Sequence, residues 1–107
     1  MEYLNKVLGI EVTYEDVEFK HLPNFIVTRY RLQMASMNGK KVIFLYPKTE
    51  LDQIAVLKKH IARIQKNENK PIVLVLNKLG FRQKEYLIRE KIPFIVEGKQ
   101  IYLPFMA

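Results

Sequence analysis

The chain has 107 residues, 49% of them hydrophobic and 27% charged, with a net charge of +7. That length fits one domain with a single buried core, and the balance of apolar and charged residues argues against disorder. Cysteine is absent, which excludes disulfides and thiolate metal sites and favours a reducing compartment.

The opening residues Met1 to Lys6 lack the basic run and long apolar stretch of a signal peptide. The longest apolar runs, Val42 to Tyr46 and Ile72 to Leu76, are too short to span a bilayer. These features predict a soluble, cytoplasmic protein without a membrane partner. The charge is uneven: residues 1–20 hold five acids against two lysines, whereas the remainder holds sixteen Lys or Arg against six acids. This balance favours an anionic partner such as nucleic acid, although a lysine-rich solvated surface produces it too.

Taken in chain order, Tyr3, Leu4, Val7 and Leu8 share one helical face, and Gly9 ends that helix. Ile10, Val12 and Tyr14 alternate like a short strand before an acidic loop carrying Glu15, Asp16 and Glu18. Pro23 opens a turn or short helix. From Ile26 to Met37 the chain is strand-like, and Asn38-Gly39 joins it to a second strand, Lys41 to Tyr46, as an antiparallel hairpin. Thr49 is placed to cap a helix that runs to about Glu68, with Leu51, Ile54, Leu57, Ile61 and Ile64 as its apolar stripe. His60 falls on the polar face of that stripe and is expected to face solvent.

Ile72 to Leu76 reads as a strand buried on both faces. A second helix, about Phe81 to Lys91, is expected to point Phe81, Leu87 and Ile88 inward. Pro93 to Val96, the turn Glu97-Gly98-Lys99 and Gln100 to Leu103 complete a C-terminal hairpin. The predicted fold class is α/β, a small mixed sheet in which an antiparallel hairpin is followed by β-α-β-α-β and a C-terminal hairpin, with two or three helices.

Motifs for chemistry are sparse. Val75-Leu76-Asn77-Lys78 resembles a guanine-recognition loop, but Gly80 stands where the base-pairing acid belongs, and no phosphate loop or G-x-G-x-x-G exists. Glu97-Gly98-Lys99 has the acid-x-Lys spacing of restriction-type nucleases, yet it lies at a turn and no Asp ends a preceding strand. His21 and His60 lack a third metal ligand at a useful spacing. The chain is therefore read as non-enzymatic, with no metal and no cofactor. The candidate contacts for a nucleic acid or another anion are two basic stripes: Lys59, Arg63 and Lys66 on the long helix, and Arg82, Tyr86 and Arg89 on the second.

The residues Leu87-Ile88, Ile92 to Val96, Gly98-Lys99-Gln100 and Tyr102-Leu103-Pro104-Phe105, with Leu22-Pro23 and Arg29-Tyr30 upstream, carry a resemblance. From about residue 22 onward the chain is similar to the N-terminal domain of MarR-type, helix-turn-helix bacterial transcriptional regulators. The resemblance implies a single domain over residues 1–107, the N-terminal part of a longer regulator whose winged helix-turn-helix is absent here. It implies DNA as a partner of the full-length protein, and dimerisation, effector binding or an auxiliary nucleic-acid contact as the role of this domain. Two alternatives come from the residues themselves: a stand-alone nucleic-acid-binding module using the basic helix faces, and a degenerate restriction-nuclease-like domain.

Overall fold

A computed structural model describes residues 1–51 and 54–106. The hairpin at Asn38-Gly39 organises the sheet. Asn38 has φ 48° and Gly39 φ 85°, the two positive values of a turn whose twist matches that of its strands. It pairs β2 (Tyr30–Met37) with β3 (Lys40–Pro47) over eight residues, from Met37 opposite Lys40 to Tyr30 opposite Pro47. β1 (Val12–Glu15) adds antiparallel to β2, with Tyr14 opposite Ala35.

Beyond β3 the chain crosses over twice. α3 (Ile54–Asn67) leads to β4 (Ile72–Leu76), which lies parallel to β3, and α4 (Phe81–Arg89) leads to β5 (Phe94–Val96), parallel to β4. β6 (Gln100–Tyr102) returns antiparallel to β5 through a turn in which Gly98 has φ 77°. Among the described residues the sheet has six strands, which lie in sequence order. A sheet that grows in one direction, with right-handed crossovers, places both crossover helices on the same side. The α/β class, the mixed sheet and the order of elements follow the sequence reading; β1 extends the hairpin, and α1 (Glu2–Leu8) and α2 (Asn24–Val27) bring the α-helices among the described residues to four.

Two cores result. Leu57 and Ile64 of α3, Leu87 of α4 and Ile26 of α2 cover Ile43, Leu45, Ile72, Leu74, Phe94 and Val96 on one side. On the other side Leu4 of α1 and Ile10 cover Met37, Val42, Phe44, Val73 and Ile95, with Leu103, and Phe105 and Met106 of the closing 3₁₀ turn (Pro104–Met106) after it, packed at the margin. β4 is therefore buried on both faces, as its unbroken aliphatic run requires. The residues that carry the regulator resemblance build the end of this structure: Leu87, Ile92, Phe94, Ile95 and Val96 are buried, and Tyr102, Leu103 and Phe105 pack against the cores. No helix among the described residues is long and apolar enough to cross a membrane.

Four local expectations are corrected. The strand read from Ile26 starts at Tyr30, because Asn24–Val27 form α2 and Ile26 packs into the first core. Thr49 does not cap α3, because Glu50 and Leu51 remain in a loop; Glu50 binds Lys78 at 2.7 Å and the Leu51 carbonyl accepts from Gln83. The residues just before α3 lie outside the described residues. Phe81 and Ile88 do not point inward: they are 76% and 42% exposed. α4 is rotated so that Tyr86 and Leu87 meet the core, and Gln83 is pinned at its start by the Leu51 carbonyl and the Gly80 amide. His60 does not face solvent; it is buried.

Candidate functional site

The two basic stripes lie on the helix layer. Lys59 and Lys66 stand opposite the buried Leu57 and Ile64 on α3 and are exposed, as are Arg82 and Arg89 opposite the buried Leu87 on α4. α3 carries four Lys or Arg and no acid. Between the helices Lys58 and Glu90 form an ion pair at 2.7 Å; the hydrogen bond raises the Lys58 pKa and lowers that of Glu90.

The stripes are not uniform. Arg63 is half-buried, and its guanidinium donates to Asn67 Oδ1 and, at 3.3 Å, to the His21 carbonyl. It thereby ties α3 to the segment after the acidic loop. Tyr86 is half-buried against the core beneath α4. The structure thus brings Lys59, Lys66, Arg82 and Arg89 onto one outer surface and turns Arg63 and Tyr86 toward the protein.

His60 sits between α3 and β2. The Tyr30 hydroxyl lies 2.5 Å from His60 Nδ1, and the Phe25 ring packs on the imidazole at 5.5 Å between centroids. Burial, with Arg29 adding to it, lowers the His60 pKa, and burial raises that of Tyr30. A neutral imidazole accepting from a neutral phenol is the arrangement both shifts favour.

A cleft of about 810 Å³ opens beyond the C-terminal ends of β3 and β4, where open α/β sheets commonly hold ligands. Its cations are already engaged: Lys48 donates to the Val27 carbonyl at 3.0 Å and Lys78 pairs with Glu50. At the same edge of the sheet, just past the C-terminal end of β5, Glu97-Gly98-Lys99 forms the tight turn, with the Lys99 amide donating to the Val96 carbonyl at 2.9 Å. β2 to β6 carry no acid, so Glu97 has no carboxylate on an adjacent strand with which to share a metal. Of the acidic cluster, Glu15 ends β1 and pairs with Lys41 at 3.3 Å, while Asp16 and Glu18 in the loop after it are exposed.

A third constellation escaped the sequence reading. Arg31 and Gln33 of β2, Tyr46 of β3 and Tyr14 of β1 share the side of the sheet that α1 only partly covers. The Arg31 guanidinium carbon lies 3.8 Å over the Tyr46 ring, and the Tyr46 hydroxyl donates to Gln33 Oε1 at 2.9 Å. The signal was present in the hairpin: a two-residue turn at Asn38-Gly39 fixes Arg31 opposite Tyr46. Alternation along β2 does not by itself distinguish Arg31 and Gln33 from ordinary outward positions of a strand.

A scan of family models and searches of curated proteins and of solved structures find nothing that matches this chain.

Proposed function

We propose that this chain is a non-catalytic regulatory domain of a cytoplasmic bacterial transcriptional regulator, and that it supplies an auxiliary contact to nucleic-acid phosphates. The regulator context is supported by the resemblance from residue 22 onward. The residues that carry that resemblance are packing and turn positions, so it speaks for a shared fold.

The phosphate contact is carried by one observation: Lys59, Lys66, Arg82 and Arg89 are exposed on the outer surface of the helix layer, and α3 holds no acid to neutralise its own Lys59 and Lys66. Each such cation that meets a phosphate releases condensed counterions, giving a sequence-independent affinity that is strongest at low salt. Fluorescence anisotropy of a labelled duplex at low ionic strength tests this. The chain binds, and Lys59→Glu with Lys66→Glu weakens binding strongly. Arg63 is left intact in this test, because its loss would also release the His21 segment. A double variant that binds as the parent does contradicts the assignment of the surface.

A further inference from the structure

The two sides of the sheet are dressed unequally. On the side of the second core, Leu4 and Ile10 close over Met37 and Val42. At the opposite end of the same side Tyr14 is 46% exposed, Arg31 is exposed, and Gln33 and Tyr46 are half-buried.

The groups there are ordered by one another. Tyr14 packs edge-on against Phe44 with centroids 6.1 Å apart, and Phe44 packs edge-on against Tyr46 at 6.3 Å. Tyr14 and Phe44 belong to strands separated by β2, and they meet because the residue opposite Tyr14 is the small Ala35. Arg31 stacks on Tyr46, which leaves the second flat side of its guanidinium for another partner. Arg31 has no carboxylate within 4 Å among the described residues. Gln33 Oε1 accepts from Tyr46, so the amide nitrogen remains a donor. Burial raises the pKa of both tyrosines; Glu97, just past β5, adds to this in each and Arg31 opposes it.

The surface therefore offers flat groups, one unneutralised cation and a donor, all held rigid by a sheet. A bare phosphate is served by converging N–H groups, whereas a stacked guanidinium and an exposed phenol ring suit a flat ligand with polar edges. We propose that this open end of the sheet is a base-stacking site for single-stranded nucleic acid, with Tyr14 and the Arg31–Tyr46 pair as platforms and Gln33 reading the base edge. The net charge of +7 suits a polyanionic strand. The site lies across the sheet from Lys59 and Lys66, so it does not depend on the duplex contact.

The test compares a labelled single-stranded oligonucleotide with an abasic one of equal length, which keeps the phosphates and lacks the bases. The chain binds the base-bearing strand more tightly by roughly five- to 150-fold, the range for one stacked base. Tyr14→Ala and Arg31→Gln each reduce that preference, while Tyr14→Phe retains it and Lys59→Glu with Lys66→Glu leaves the ratio unchanged. Equal affinity for the two strands overturns the proposal, as does a Tyr14→Ala chain that is folded by circular dichroism and keeps the full preference. A free nucleoside monophosphate bound as tightly as the oligonucleotide overturns the assignment to a strand. Loss of duplex binding alone bears only on the helix surface.

Discussion

The Tyr30 hydroxyl and His60 Nδ1, 2.5 Å apart and buried between β2 and α3, form a polar link inside the first core. Burial first, and then the nearby Arg29 charge, lower the His60 pKa from its ordinary 6.5. The folded state therefore prefers the neutral imidazole, and the unfolded chain binds a proton more readily. Stability is fully present above pH 6.5 and is lost as pH falls through 6.5 toward the lower folded value. Urea unfolding at pH 7.5 and 5.0 checks this: His60→Leu flattens the dependence, and an unchanged slope in that variant assigns it to other groups.

The same pair makes a second prediction. Tyr30→Phe keeps the ring and removes the donor, leaving Nδ1 buried without a partner. Such an orphaned acceptor costs about 1–3 kcal/mol. Unfolding at pH 7.5 reads that loss directly.

α4 ends with a left-handed residue that is not glycine. Lys91 has φ 55°, its amide donates to the Ile88 carbonyl at 3.1 Å, and the next amide, of Ile92, reaches back to the Leu87 carbonyl at 2.8 Å. This double closure, with Ile92 and Leu87 both in the core, is the usual stop for a helix, and glycine is the residue that suits it. Lys91→Gly relieves the Cβ strain and stabilises the fold by about 1 kcal/mol. A shift of the thermal midpoint upward is the expected sign; a downward shift contradicts the account of this helix end.

The rotation of α4 is tested by a pair of substitutions. Leu87 is fully buried and Phe81 is 76% exposed. Leu87→Ala destabilises by about 2–5 kcal/mol, whereas Phe81→Ser stays within about 0.5 kcal/mol of the parent. The reverse order supports an inward Phe81.

Much of the architecture was legible because it rests on local signals. Asn38-Gly39 fixed a hairpin, Gly9 ended a helix, and the aliphatic run at Ile72 could only be a strand covered on both sides. What escaped depended on partners distant in sequence. His60 looked polar on its own helix, but Tyr30 and Phe25, about thirty residues earlier, supply the hydrogen bond and the ring that bury it. Thr49 looked like a cap, but loop contacts to Lys78 and Gln83 hold the following residues outside the helix. Phe81 was read inward for its hydrophobicity, while the half-polar Tyr86 and Gln83 occupy that side of α4. Of the candidate contacts, Arg63 and Tyr86 matched the helical spacing, yet each is turned to an internal partner.

The salt dependence of duplex binding tests the central proposal most directly. Logarithmic affinity against logarithmic salt falls with a slope near −0.9 for each phosphate neutralised, about −3.6 if Lys59, Lys66, Arg82 and Arg89 all engage. Lys59→Glu with Lys66→Glu makes the slope shallower by about 1.8. Absence of binding at the lowest salt, or a slope that the double variant leaves unchanged, contradicts the phosphate contact.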